Sequence, residues 1–266
     1  MLKKIESIIN QSPFYNIIRF NFIADLIVEL KTRRTRKAIK FFSSFLGPSS
    51  ENKLIYDIGA NKGSKVKAFL KMGYKVVAVE PERRALSTLR WRFGRNKNVI
   101  ILGKGVSDKE STLTIHVAEA RSGLNTLSDK WVKTLEKEEE NRWHRKHAFN
   151  KSYEVEVTTL DNLFNDYGLP FFIKIDVEGY EKNVIKGMSR MPGFVSFETN
   201  LPEFLDESRF CIEHIAQQSV NTLYNYSFTD RLHASKWLSK EEMLNVLHDP
   251  SVRYMEIICR NAIKKD

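Results

Sequence analysis

The stretch Leu54-Ile55-Tyr56-Asp57-Ile58-Gly59-Ala60-Asn61-Lys62-Gly63 decides how this chain is read. A short apolar run stopped by glycine is the pattern of a buried strand, and from about Ser64 to Met72 the apolar side chains recur at helical spacing until Gly73 ends them. A strand passing into a helix through a glycine turn is half of a βαβ unit, the element of a parallel sheet covered on both faces. The turn belongs at the carboxyl edge of that sheet, where open α/β folds bind ligands. Gly59 permits a tight turn and close backbone approach, Gly63 lets the helix begin near a ligand, and the N–H groups of a helix start favour a carboxylate.

The alternation continues downstream. Strand patterns at Lys75 to Val79 and Asn98 to Leu102 flank a helix from about Glu82 to Phe93, and Thr112 to Val117 alternates with period two as a hairpin-like addition. Strand character returns at Tyr153 to Thr158, and Thr159-Leu160-Asp161 opens a short helix. The clearest buried strand is Phe171 to Asp176, followed by a helix from about Glu178 to Met188 and a strand at Phe194 to Glu198. The tail offers a helix near Glu203 to Gln217, a strand at Thr222 to Tyr226, a helix near Lys240 to Leu247 capped by Ser239, and a last strand at Arg253 to Cys259.

Two segments stand apart. Residues 1–50 read as an N-terminal helical extension, because Ile5, Ile8 and Ile9, then Ile23, Leu26, Ile27 and Leu30, fall three or four apart before Gly47-Pro48-Ser49-Ser50 breaks the pattern; residues 51–266 form the Rossmann-like domain. Lys31, Arg33, Arg34, Arg36 and Lys37 precede Phe41, Phe42, Phe45 and Leu46. We read this as a helical cap on the sheet with a wet cationic edge, and peripheral contact with an anionic membrane as the competing reading. The other segment, about 120–151, reads as a charged helical insertion: a solvated arm, or alternatively a lid over the site.

The 266 residues, 42% hydrophobic, suffice for one large domain with an appendage. The net charge of +10 favours anionic partners without choosing among nucleic acid, acidic glycans and lipid. Cys211 and Cys259 make no CxxC pairing, so neither a disulfide framework nor a zinc site is suggested, and a cytoplasmic setting is expected. The start lacks signal-peptide features, and Asn16, Arg19, Asn21 and Asp25 interrupt the apolar stretch Phe14 to Leu30, so no transmembrane span is expected.

Glu80 closes the second strand ahead of Pro81, which puts its carboxylate at the edge of the glycine turn, where it can accept hydrogen bonds from ribose hydroxyls. The third strand leads into Gly105-Val106-Ser107-Asp108, with polar groups suited to an adenine edge. The turn lacks the G-x-G-x-x-G order of dinucleotide binders, which disfavours NAD, and no G-K-[ST] follows, which excludes a Walker loop.

Taken in order, Asp57-Ile58-Gly59-Ala60-Asn61-Lys62-Gly63, Val79-Glu80-Pro81, Val106-Ser107-Asp108, Thr159-Leu160-Asp161 and Ile173-Lys174-Ile175-Asp176-Val177-Glu178-Gly179-Tyr180-Glu181 resemble the FkbM family of methyltransferases, over about residues 54–200. The resemblance implies a Rossmann-like class I methyltransferase fold, with a mostly parallel seven-stranded sheet and an antiparallel C-terminal strand. It implies S-adenosylmethionine as donor and O-methylation of a hydroxyl on a glycan, sugar or secondary metabolite. Asp57, Gly59, Ala60, Asn61 and Gly63 then match the methionine-binding turn, Glu80 with Pro81 the ribose acceptor, and Ser107 with Asp108 the adenine side. Lys62 and Ser64 stand where the family more often has an apolar residue and an acidic or polar one.

Strand alternation directs Lys174 and Asp176 away from Ile173 and Ile175 and sets Asp176 at the strand end beside the cofactor. Methyl transfer needs alignment and often removal of the acceptor's hydroxyl proton, for which a carboxylate is the natural base. Asp176 is the first candidate and Glu178 the second, with Glu181 one helical turn behind; helix capping is the competing role for the two glutamates. Glu198 and Asn200 could join Asp176 as oxygen ligands to Mg²⁺. His144 and His147, three apart, read as surface residues. A nucleic-acid methyltransferase is the alternative that the charge supports, but Asp176-Val177-Glu178-Gly179 differs from the Asn/Asp-Pro-Pro-aromatic loop of base-amino methyltransferases, and its acidic groups would repel phosphates. A non-catalytic S-adenosylmethionine-binding module is the third reading. The identity of the acceptor and the oligomeric state, with a homo-oligomer compatible, are left open.

Overall fold

The computed structural model describes residues 33–47, 53–118, 123–137 and 146–262. Helix α1 (Arg34–Ser43) precedes a regular alternation of β1 (Leu54–Ile58), α2 (Ser64–Lys71), β2 (Lys75–Val79), α3 (Arg83–Phe93) and β3 (Val99–Leu102). A side branch follows, made of β4 (Gly105–Val106), β5 (Ser111–Ala118), α4 (Asp129–Glu136) and β6 (Phe149–Thr158). The chain then completes the main layer with α5 (Leu160–Tyr167), β7 (Phe172–Ile175), α6 (Glu181–Lys186), β8 (Phe194–Asn200), α7 (Leu205–Gln218), β9 (Thr222–Ser227), α8 (Lys240–Val246) and β10 (Tyr254–Asn261).

Seven strands pair in the order β3-β2-β1-β7-β8-β10-β9, with β10 antiparallel to both neighbours and every other pairing parallel. The chain winds outward from β1 through β2 to β3 and then resumes at β7 on the other side of β1. The gap between the ends of β1 and β7 is therefore the topological switch point, the place where a parallel sheet leaves a crevice. Alternation sorts the side chains: Ile58, Ile173, Ile175 and Phe197 join the core under α5, α6 and α7, while Ile55, Phe172 and Phe194 join the core under α1 and α2.

The helix boundaries follow local chemistry. Glu82 caps α3 by accepting from Ala85 N at 2.7 Å, Thr159 caps α5 through Asn162 N at 3.0 Å, and Ser239 forms a capping box with Glu242 ahead of α8. Helix α6 starts at Glu181, three residues later than the apolar spacing suggests, because Glu178 and Gly179 adopt left-handed φ values of 55° and 83° and turn the chain first.

Two expectations change with the packing. The insertion is no solvated arm in its described part: Ser128 caps α4, Trp131 and Leu135 are buried, and the Trp131 ring meets Phe204 edge-on at 5.6 Å. Residues 138–145, His144 among them, lie outside the described residues; the backbone N–H of His147 donates to Leu135 O. The period-two segment pairs not in a tight hairpin but across the insertion, in a separate three-stranded sheet of order β4-β6-β5.

Residues 1–32, including Lys31 and the early isoleucine pattern, also lie outside the described residues. Phe41 and Phe42 of α1 face the domain, Phe42 packing on Phe69 at 4.7 Å and Phe172 at 5.8 Å between ring centroids, while Arg34, Arg36, Lys37 and Lys40 face solvent. These rings form part of the core, as a cap would, and are not offered outward to lipid. No described helix is long and apolar enough to cross a membrane. Because Phe42 is fully buried, Phe42→Ala should cost about 3–5 kcal/mol in urea unfolding, and a loss under about 1 kcal/mol would show that α1 is not part of the folding unit.

Candidate functional site

The turn after β1 is tied to the strand beside it. Gly59 N and Ala60 N both donate to Val79 O at 3.0 Å, Gly63 N donates to Ala60 O at 2.8 Å, and Asn61 N, with φ of 48°, donates to Glu80 Oε2 at 2.8 Å. Glu80 Oε1 accepts from Glu82 N at 2.8 Å. Two backbone N–H groups thus fix a carboxylate that is 6% exposed, at the rim where β2 ends. Burial pushes the Glu80 carboxyl up to about 7 despite these two bonds, which act in the opposite direction.

Gly59 is required for a reason beyond the turn. A Cβ there would lie 1.8 Å from the carbonyl oxygen of Asp176, and φ is 80°, so only glycine allows the ends of β1 and β7 to close on each other. Gly63 serves packing: a Cβ would meet Phe93 Cε2 at 2.5 Å and Leu89 Cδ1 at 2.7 Å, so its bare backbone admits α3.

A cleft with about 750 Å³ of free space, its open mouth included, lies above this edge. Gly59, Asn61, Glu80, Pro81, Asp176 and Glu178 all border it, so the groups nominated from three separate strand ends do meet. Asp57, Ala60, Gly63, Ser107 and Asp108 do not border it. Ser107 is turned away because its N–H donates to Thr158 O at 2.8 Å and its hydroxyl meets Tyr180 Oη at 3.1 Å, and Asp108 is held by Lys186 Nζ at 2.8 Å, which keeps its carboxyl below the usual range. At that end of the cleft stand Lys104, Gly105 and Val106 instead.

Strand ends alone do not reveal the far wall. Ile115 of β5 and Gly123, Asn125, Thr126 and Leu127 from the segment before α4 close the cleft from the side sheet. Thr126 Oγ1 donates to Glu178 O at 2.7 Å and bolts this wall to the loop after β7. That loop is braced from below by Glu181, whose Oε1 accepts from Val177 N at 3.2 Å and Gly179 N at 3.3 Å. Glu181 is therefore a loop staple buried beneath the site, with burial pushing its carboxyl up to about 7.

Beneath the cleft floor, Lys174 is 1% exposed, and its Nζ donates to Asp176 Oδ2 at 2.6 Å. Burial alone would lower its pKa, but the surrounding carboxylates of Asp176, Glu198, Glu256 and Asp57 outweigh that and raise it, keeping the ammonium charged. Burial drives the Asp57 carboxyl up to about 6 and the Glu198 carboxyl up to about 8. Asp57 Oδ2 and Asn200 Oδ1 are buried without hydrogen-bond partners among the described residues, while Ser196 Oγ donates to Glu256 Oε1 at 2.7 Å. Of the oxygen groups expected for Mg²⁺, Asp176 has one oxygen held by the Lys174 ammonium, burial and then the nearby Asp176 raise the Glu198 carboxyl, and Asn200 Oδ1 is buried without a partner; no group of three or more His, Cys, Asp or Glu among the described residues is arranged to hold a metal.

Asp57 and Glu198 bind protons more tightly folded than unfolded, so they erode stability as pH rises from their unfolded values of 3.8 and 4.5 towards about 6 and 8. Lys174→Met removes the shared cation. It should cost about 3–5 kcal/mol in denaturant unfolding at pH 8 and clearly less at pH 5, where Asp57 and Glu198 are mostly neutral; an equal cost at both values would mean that lost packing dominates.

Residues 57–221, well over half of the chain, match the model of the methyltransferase FkbM domain. No curated protein matches. Among solved structures, the plantazolicin methyltransferase BpumL in complex with S-adenosylhomocysteine is similar at 10% identity and a TM-score of 0.42, covering 95% of this chain and 92% of its own. A precorrin-6y C5,15-methyltransferase from Geobacter metallireducens is similar at 10% identity and a TM-score of 0.42, covering 85% and 86%. A TehB-like S-adenosylmethionine-dependent methyltransferase from Corynebacterium glutamicum is similar at 9% identity and a TM-score of 0.39, covering 85% and 87%. The strand order and register, not these distant likenesses, define the fold.

Proposed function

The chain belongs to the FkbM methyltransferase family and is an S-adenosylmethionine-dependent methyltransferase; from that premise we propose that it methylates a hydroxyl on a glycan, sugar or secondary metabolite, with Asp176 as the base. The observation that carries this reading is the convergence of the Gly59–Asn61 turn, the Glu80 carboxylate and Asp176 on one cleft at the switch point.

The residues present fit the cofactor. Glu80 borders the cleft with both oxygens held by backbone donors, so its remaining lone pairs have a fixed direction suited to a ribose diol. The strand order then divides the cleft: Lys104 to Val106 lie on the β3 side of Glu80, where the nucleobase belongs, and Asp176 lies on the β7 side, where the acceptor approaches. The adenine edge therefore falls to Gly105 and Val106 in place of Ser107 and Asp108. S-adenosylmethionine supplies the transferable methyl group as a sulfonium electrophile.

Asp176 provides what the cofactor lacks. Its side chain is 28% exposed, one oxygen is held by Lys174, and the residue borders the cleft, which supports a role in taking the acceptor's hydroxyl proton as the methyl carbon bonds to oxygen and leaves the sulfur of S-adenosylhomocysteine. Glu178 is the second candidate and borders the same cleft. Its backbone carbonyl is committed to Thr126 and its left-handed backbone shapes the loop, which makes it a wall of the site.

Asp176→Asn should lower turnover by about 100-fold or more, read as S-adenosylhomocysteine release with a hydroxylated acceptor found by screening, while calorimetric affinity for S-adenosylhomocysteine stays within about threefold of wild type. Turnover near the wild-type rate would remove Asp176 as the base. Binding of S-adenosylhomocysteine without turnover on any hydroxylated acceptor would favour the inert module.

A further inference from the structure

The wall contributed by the segment before α4 carries chemistry as well as shape. Asn125 borders the cleft, and its Oδ1 accepts from Ala118 N at 3.1 Å. A backbone N–H can only donate, so the atom facing it must be the oxygen, and the amide orientation is thereby settled. The Nδ2 group, which can only donate, has no partner among the described residues.

Other features hold this donor in place. The wall meets the cofactor turn, since a Cβ on Gly123 would lie 3.3 Å from Asn61 Nδ2, and Asn61 is the residue whose backbone N–H clamps Glu80. Thr126 exchanges both backbone bonds with His116 at 2.8 and 3.0 Å and gives its hydroxyl proton to Glu178 O. The segment is thus fastened to β5 on one side and to the loop after β7 on the other. A donor on a short, doubly anchored wall that borders the same cleft as the buried Glu80 carboxylate is preorganised for the acceptor atoms of a nucleoside.

We propose that Asn125 is a cofactor-binding residue, its carboxamide N–H donating to the nucleoside half of S-adenosylmethionine, and that the Gly123–Leu127 wall is part of the cofactor site. This rests on the reading that the cleft binds S-adenosylmethionine. It assigns a binding role to a segment outside the strand-end pattern, and it makes the side sheet a functional part of the enzyme.

The test uses the full chain and calorimetry with S-adenosylhomocysteine and with adenosine. Asn125→Asp keeps the oxygen that accepts from Ala118 N and removes the donor; Asn125→Ala removes both without adding charge. Each should weaken both ligands by a similar factor of about 10 or more, with Asn125→Asp melting close to wild type. If both variants bind S-adenosylhomocysteine as wild type does while Glu80→Ala loses it, Asn125 makes no contact and this inference fails alone. If wild-type protein binds neither ligand, the cofactor reading itself falls.

Discussion

The site depends on one buried ammonium group. Lys174 stands on a central strand with almost no exposure, where an isolated charge would cost several kcal/mol, and four carboxylates from β1, the end of β7, β8 and β10 share its field. The ammonium makes that concentration of acid tolerable, and it holds one carboxylate oxygen of Asp176, a residue that borders the cleft. Without it, whatever charge Asp57, Asp176, Glu198 and Glu256 carry would have no buried cation to offset it at the point where the sheet must close most tightly. Stability and the orientation of the candidate base therefore come from one interaction.

Above that floor, the site is assembled from backbone. The bare Gly59 lets β1 and β7 approach, three N–H groups of the turn fasten it to Val79 and Glu80, and Glu181 staples the loop that follows Asp176. Few of these bonds involve an exposed flexible side chain. Electrostatic preorganisation of this kind suits a reaction in which the protein must align groups and move a single proton.

The main sheet was legible because its signals are local. Apolar runs, Gly73, the caps Thr159 and Ser239, and the alternation that separates Lys174 and Asp176 from Ile173 and Ile175 all act within a few residues. What escaped depends on packing between distant segments. The spacing of Trp131 and Leu135 is visible once Phe204 is known to lie beside it, yet the surrounding charges suggest a solvated helix. Ser107 and Asp108 sit at the expected strand end, but pairing of β4 with β6 and the pull of Lys186 turn them away from the cleft. Gly123, Asn125 and Thr126 carry no strand-end signature, because their place is set by a separate sheet. The wall of the site was the part least open to sequence reasoning, and it divides the cleft from the more polar groove beyond Leu127.

The proposed arrangement sets one elongated nucleoside ligand along the strand ends from β3 to β7. A crystal structure of the complex with S-adenosylhomocysteine tests it most directly. The ribose hydroxyls should lie on Glu80, the adenine towards Gly105 and Val106, and the sulfur on the Asp176 side of the cleft. A ligand seated elsewhere, or one whose ribose makes no contact with Glu80, would contradict it.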